Sequence, residues 1–411
     1  MPAVAVDLNA LSSYTWAFSA YVTASLFAMV VGGLWSDAAG PRRPLIAGVS
    51  LLAAGAVVAG AAPSLLVLVS GRALQGLGGG LMIVAVYVLI ARAYPEELRP
   101  KAFSVLAAAW VVPSLLGPLV AGWLTQSVSW RAVFWIVPFF IIPPLLLLFP
   151  GLRAHDGGTP HASARRRVAA GAVATLALFA LQDGVLRLSV AGYAESAVAL
   201  VLLLAAVRHL LPSGALRFVR GLPTSVMMRG LVAAAYFSAE VFIPLALTET
   251  RGLTVTQAGL VLAVSAALWS AGSWAQSRIP PGKDRSGAVR TGAAIVTLSL
   301  LTLPLALWEG VSPYVAALSW AAGAFGMGLA VPSISVQVMR LSPETDLGVN
   351  SSAIQIIDSV MGVLVVSLLG LGHAAAVASG GASAATYAAL WCAAALVSLA
   401  AVVLAGRMRP V

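Results

Sequence analysis

Residues 68–91 read Leu68-Val-Ser-Gly-Arg72-Ala-Leu-Gln75-Gly76-Leu-Gly78-Gly79-Gly80-Leu-Met-Ile-Val-Ala-Val-Tyr-Val-Leu-Ile-Ala91, with Arg72 the single charge. A hydrocarbon core about 30 Å thick is crossed by about 20 helical residues, so this run is long enough to span a bilayer. The composition around it says the same. The 411-residue chain is 60% hydrophobic and only 9% charged, with a mean hydropathy of +0.96. A soluble domain carries about 25% charged residues. Too few charges remain to cover an aqueous surface, which excludes a soluble enzyme, a nucleic-acid-binding domain and a disordered chain. What is left is an all-α polytopic membrane protein. Apolar runs fall at 14–34, 44–64, 68–91, 102–123, 132–150, 168–183, 193–211, 228–249, 256–276, 288–307, 313–339, 349–371 and 384–405, thirteen visible spans.

The net charge of +10 is explained by where the charges sit. Basic residues collect on the cytoplasmic loops of membrane proteins. With alternate loops assigned to the cytoplasm, that side holds Arg42, Arg43, Arg92, Arg99, Lys101, Arg153, Arg165–Arg167, Arg208, Arg217, Arg220, Arg229, Arg278, Lys283, Arg285, Arg290, Arg340, Arg407 and Arg409. Only Arg72, Arg131, Arg187 and Arg251 fall elsewhere. This assignment places the C-terminus in the cytoplasm and Met1 outside, with no signal peptide to carry it there. A missing first span is expected; the alternative is a true thirteen-span chain. The clusters Arg165–Arg167 and Arg217–Arg229 read most simply as topology signals.

Chemistry is sparse. Cys392 is the lone cysteine, and His155, His161, His209 and His373 lack metal-ligand spacing. No HExxH, nucleophile elbow or phosphate-binding loop occurs. Neither metal, cofactor nor nucleic acid is implied, and no enzymatic activity is expected.

Four segments in chain order carry a family resemblance. Gly33-Leu-Trp-Ser-Asp37-Ala-Ala-Gly40-Pro-Arg42-Arg43 resembles the loop between the second and third helices of the major facilitator superfamily, with Ala38 where a basic residue is usual. Arg72-Ala-Leu-Gln75-Gly76-Leu-Gly78 resembles the fourth-helix signature of drug:proton antiporters, and Gly117-Pro118-Leu-Val-Ala-Gly122 their fifth-helix motif. Trp130-Arg131-Ala-Val-Phe134-Trp-Ile-Val-Pro138 is similar to the start of the sixth helix. Met1-Pro-Ala-Val-Ala-Val-Asp7-Leu8 looks like the tail of the first-helix motif, and Tyr14-Thr-Trp16…Tyr21 like the second helix. On this resemblance the chain matches the fourteen-span drug:proton antiporters without their first helix. It implies a bundle at 1–150, an extra helix pair and linkers at 151–220, and a second bundle at 221–411. Gly272-Ser-Trp-Ala-Gln276-Ser-Arg278 resembles a degenerate copy of the first-loop motif. That is the internal repeat expected of transporters.

Ionisable residues inside spans cost about 2.5–3.5 kcal/mol at the centre on insertion scales and mark functional sites. Glu240, in Tyr236-Phe-Ser-Ala-Glu240-Val-Phe-Ile-Pro244, is the first candidate for proton exchange, and Asp358 the second. Arg72 is tied to proton coupling by the resemblance. Each also has a plainer reading, as a structural carboxyl or a snorkelling arginine. Gln75, Trp16, Tyr21, Tyr236 and Gln355 are candidates for a substrate cavity; single aromatics also serve as lipid-facing or core packing. The loop of Gly33, Asp37, Gly40, Arg42 and Arg43 is a candidate gate, with Asp37 reaching a helix N-terminus. Its plainer reading is a positive-inside loop with a turn. Gly117-Pro118, with Gly122, is expected to bend its helix. The resulting expectation is a monomeric, proton-driven exporter of hydrophobic or cationic small molecules in a bacterial plasma membrane. An uptake or lipid carrier on the same fold, and a non-transporting sensor or remnant, stay open as alternatives.

Overall fold

The computed structural model describes residues 7–8, 15–152, 161–187, 189–280 and 282–410, with the backbone alone at some helical positions. Residues 1–6 and Tyr14 of the expected first two motifs lie outside them. In chain order the helices are α1 (Thr15–Ala39), α2 (Arg42–Gly60), α3 (Leu65–Ala93), α4 (Arg99–Ala109), α5 (Val111–Ser127), α6 (Trp130–Trp135), α7 (Val137–Leu152), α8 (Ala164–Leu186) and α9 (Val190–Leu210). They continue as α10 (Leu222–Glu240), α11 (Phe242–Arg251), α12 (Val255–Ala263), α13 (Ser265–Ser277), α14 (Ser286–Thr302), α15 (Val315–Leu341), α16 (Leu347–Ala378) and α17 (Ala384–Leu404). No strand occurs among the described residues. In a bilayer every backbone polar group needs an internal partner, and helices supply one locally.

Each of the thirteen apolar runs falls on one of these helices or on a pair joined end to end. Among the described residues, eleven helical segments are long and apolar enough to cross a membrane. The two runs outside that count are 102–123, which is divided between α4 and α5, and 168–183 on α8. α8 opens on Arg165-Arg166-Arg167 and carries Gln182 and Asp183 near its end.

Several interruptions follow from proline. A proline lacks the N–H that would bond the carbonyl four residues back, and its ring crowds that turn. α4 gives way to α5 at Trp110, three residues before Pro113. α6 gives way to α7 at Ile136, before Pro138, and α10 to α11 at Val241, before Pro244. The break in this stretch falls at Trp110, and α5 runs through both Gly117 and Pro118, where the bend was expected. Pro332 sits inside α15 without an interruption, so proline permits a break without dictating one.

The chain forms two compact units. The first comprises residues 1–93, 116–211 and 342–356, and the second residues 94–115, 212–341 and 357–411. In the first, α3 packs against both α1 and α2, and α8 packs against α1 and α9. In the second, α15 packs against α13 and α14, and α17 against α10 and α14. The second core is built on the fully buried Trp320, Trp391 and Tyr387. Large apolar side chains such as Phe139, Leu147, Val190, Leu318 and Val403 point outward, as lipid-facing positions do.

The α1–α2 turn is made by Gly40, whose φ of +78° suits a residue without a Cβ. About two turns earlier, a Cβ on Gly33 would lie 2.6 Å from the Gly348 carbonyl oxygen and 2.8 Å from Ser352 Oγ. Gly33 thus sets how closely α1 meets the start of α16. Gly33→Val is expected to cost about 1–3 kcal/mol of overpacking, read as a lower melting temperature in detergent. An unchanged melting temperature contradicts this close approach.

Candidate functional site

The loop motif forms first. Asp37, on the last turn of α1, is buried to 1% exposure. Its Oδ1 accepts the Gly348 N–H at 2.6 Å and its Oδ2 the Val349 N–H at 2.8 Å. These are the amides that a helix leaves without partners at its N-terminus, where its dipole also favours an anion. The expectation that Asp37 meets a helix N-terminus is met. An unforeseen partner joins it: His161 Nε2 stands 3.0 Å from Asp37 Oδ2, with His161 Nδ1 3.9 Å from Asp346 Oδ1. Arg42, half-buried, and Arg43, exposed, open α2.

The degenerate copy in the second unit has an amide where the first-loop motif has its acid. Gln276 stands four residues after Gly272, as Asp37 does after Gly33. Its Nε2 donates to the Pro100 carbonyl in the first turn of α4 at 3.0 Å, and Arg285 Nη1 donates to Gln276 Oε1 at 3.0 Å. Here an amide donates to a helix carbonyl, where Asp37 accepts from helix amides.

On α3, the fourth-helix signature folds onto α1. Arg72 Nη1 donates to Gln75 Oε1 at 2.8 Å and Arg72 Nε to the Ala17 carbonyl at 3.2 Å. The guanidinium carbon lies 4.6 Å from the Tyr21 ring centroid, within cation–π range. Gln75 is buried, and Gly76 abuts the Tyr21 backbone. Arg72, Gln75 and Tyr21 are therefore one group held by protein, where a snorkelling arginine would reach for water. Trp16 is half-exposed and meets Phe179 of α8 edge-on, with centroids 6.1 Å apart.

Glu240 is the last residue of α10, at the interruption before Pro244. Among the described residues, no cation and no hydrogen-bond donor reaches its half-buried carboxylate. One turn earlier lies Tyr236, buried and stacked on Trp320, with centroids 3.8 Å apart and planes 12° from parallel. Phe237 and Trp269 extend the cluster, each about 6 Å from its neighbours. Trp269 and Trp320 were missing from the sequence-derived candidates because nothing in the sequence places them beside Tyr236.

Asp358 has the opposite surroundings. Arg229 Nε and Nη2 both approach its Oδ2 at 2.8 Å, and the two side chains are 11% and 21% exposed. Arg229 is corrected here: it sits on α10 facing a carboxylate, away from the loop cluster to which the sequence pattern assigned it. Gln355, one turn before Asp358 on α16, is buried. A third group also went unread. Tyr387 Oη donates to Glu249, and His373 Nε2 lies 3.2 Å from the same Oη.

The four arginines outside the cytoplasmic set are all held by protein. Beside Arg72, Arg131 Nη1 pairs with Asp7 Oδ2 at 2.8 Å and Nη2 donates to the Ala62 carbonyl. Trp130 Nε1 donates to the same Asp7 oxygen at 3.0 Å, so the sixth-helix motif closes on the end of the first-helix motif. Arg187 bridges Asp183 and Glu195 across α8 and α9. Arg251 donates to the carbonyls of Ala306, Trp308 and Val311. By contrast, a Cβ on Gly117 or Gly122 would meet nothing within 4 Å among the described residues.

The sequence profile described as Major Facilitator Superfamily matches residues 1–366. The chain belongs to the Major Facilitator Superfamily. It is a multi-pass membrane protein of this transporter family. Among related superfamily members, a probable multidrug-efflux transporter of Mycobacterium tuberculosis is 25% identical over 393 residues, covering 90% of this chain and 82% of that protein. An uncharacterized MFS-type transporter of the same organism is 35% identical over 136 residues. That match covers 33% of this chain and only 20% of the relative's length. In fold, the chain resembles a bacterial homologue of the iron transporter ferroportin, with a TM-score of 0.71 at 13% identity over 99% of this chain and 93% of that one.

Hydrogen bonds from Trp130 and then Arg131 hold the Asp7 carboxyl below its usual range. A carboxyl with a lowered pKa stabilises the fold above the unfolded value, 3.8, and loses that contribution as the pH falls through the native one. Thermal melts below about pH 4 are expected to destabilise the native chain more than Asp7→Asn. Parallel acid profiles contradict the pairing.

Proposed function

We propose that this transporter is a proton-coupled exporter of hydrophobic, cationic small molecules, working by alternating access. Glu240 carries the reading. It is a carboxylate within a span, with no protein cation among the described residues to balance it, beside the aromatic group of Tyr236, Phe237, Trp269 and Trp320. A charge in that position is costly unless compensated. A proton compensates it, and so does a flat organic cation lying against aromatic faces. The two compete for one carboxylate, so an inward proton gradient drives the cation out. The interruption at Val241 supports this, because discontinuous helices line substrate sites in secondary transporters.

The likeness to a probable multidrug-efflux transporter supports the substrate class and direction. The motifs at Arg72 and Gly117 support antiport and the fourteen-span class, with α8 and α9 as the extra pair between two six-helix bundles. On this reading the protein acts as a monomer in the bacterial plasma membrane with its C-terminus in the cytoplasm. Asp37, bonded to the first amides of α16, would hold one conformation of the gate.

The test is uptake and extrusion of ethidium in proteoliposomes with an imposed pH gradient. Glu240→Gln is expected to lower gradient-driven transport about tenfold or more and to abolish resistance in a drug-sensitive host. Unchanged efflux and resistance overturn the proposal.

A further inference from the structure

Arg165, Arg166 and Arg167 open α8, and α9 ends on Arg208-His209-Leu210. The two helices pack side by side, and these ends meet. Arg167 is part of that packing: its Nη1 donates to the Leu210 carbonyl at 3.3 Å. Arg166 and Arg208 are exposed, and both turn to His209. Arg166 Nη2 stands 3.4 Å and Arg208 Nε 3.2 Å from the same Nε2. A ring nitrogen offers at most one lone pair, so it cannot satisfy two donors. Among the described residues no carboxylate pairs with Arg165, Arg166 or Arg208.

A topology signal needs positive charge on a loop; it does not need two guanidiniums drawn to one imidazole. Like charges so placed repel each other, and an anion between them removes that cost. The helix surfaces say what the anion is attached to. On α8 the exposed positions Arg166, Ala169, Val173 and Leu176 follow at three or four residues, and so lie on one face. On α9 the exposed Arg208, Ala205, Leu202 and Val198 do the same. Each face is apolar beyond its arginine and runs about 15 Å, half the thickness of a hydrocarbon core. We propose that this end of the α8–α9 pair binds an anionic phospholipid. Its phosphodiester bridges Arg166 and Arg208, and its acyl chains lie along the two apolar faces.

The chemistry sets the selectivity. Phosphate oxygens take paired N–H bonds from a guanidinium, and such charge-assisted bonds are the strong ones. In a zwitterionic lipid a cationic group accompanies the phosphate, and the arginines repel it. A headgroup whose net charge is negative meets no such opposition. A free phosphate meets the same arginines but leaves the apolar faces unused. Neither Glu240 nor the transported substrate enters, since α8 and α9 belong to the first unit.

The experiment measures binding of phosphatidylglycerol, phosphatidylcholine and inorganic phosphate to the purified protein in a neutral detergent, by native mass spectrometry and thermal melts. It compares the native chain, Arg166→Gln/Arg208→Gln, Arg208→Lys and Arg217→Gln/Arg220→Gln. The last removes the same charge from exposed positions in the second unit. The native protein is expected to prefer phosphatidylglycerol over phosphatidylcholine about tenfold or more, and to melt higher in its presence. Arg166→Gln/Arg208→Gln should lose that preference and, relieved of a repulsion, melt no earlier than the native chain without lipid. Arg208→Lys should keep most of the affinity and Arg217→Gln/Arg220→Gln nearly all of it. Native affinity for phosphatidylglycerol in Arg166→Gln/Arg208→Gln overturns the proposal. An equal loss in Arg217→Gln/Arg220→Gln also overturns it, because the attraction then follows net charge alone. So does equal affinity of the native protein for the two lipids. Stabilisation by inorganic phosphate equal to that by phosphatidylglycerol assigns the arginines to a soluble anion and overturns it as well. If Arg166→Gln/Arg208→Gln does not fold, Arg208→Gln alone is held to the same outcomes.

Discussion

A charge at the centre of a bilayer costs about 2.5–3.5 kcal/mol on insertion scales, and each charge this chain places among its spans is met by a different device. Arg72 lies among a carbonyl, an amide and a tyrosine ring. Arg131 closes on Asp7 and Arg251 on three carbonyls. Asp37 takes the first amides of α16. Asp358 has Arg229. Only Glu240 is left with no such partner among the described residues, and the functional reading grows from that difference.

The compensation is uneven by design of the chemistry. Removing one partner of a buried ion pair leaves an uncompensated charge and is strongly destabilising, by about 3–5 kcal/mol. The pair at Arg229, with its side chains 11% and 21% exposed, therefore resists change unless a proton arrives. A carboxylate without a partner has no such anchor and answers to whatever cation the membrane delivers. The aromatic faces around Tyr236 add an apolar, polarisable wall at that point, which favours a delocalised cation over a small hydrated one. Proline supplies the local freedom: Pro244 leaves the Glu240 carbonyl without its usual donor, so the helix is already broken where the charge stands.

Much of this was legible in the sequence, because its strongest signals are local. Apolar runs mark the helices, and the helix-N-terminus role of Asp37 follows from an acid three residues before the Gly40 turn. The grouping of Arg72 with Gln75 follows from their spacing of three, one helical turn. The break at Trp110 follows from the donor that Pro113 lacks, three residues on, whereas the family resemblance points to Gly117-Pro118. Arg229 was misplaced for a plainer reason. It lies near other arginines in the chain, while its carboxylate is 129 residues away, and no local pattern reports a pairing at that distance. His161 beside Asp37 and Trp320 beneath Tyr236 are likewise products of tertiary packing.

The central claim is that one carboxylate, Glu240, is shared in alternation by a proton and a cationic substrate. It is tested most directly by counting protons released when ethidium binds to the purified transporter in weakly buffered detergent solution. The account predicts release from the native protein, from Arg229→Lys and from Asp37→Asn, and none from Glu240→Gln. Ethidium binding to the native protein without proton release, across the pH range in which it transports, would contradict it.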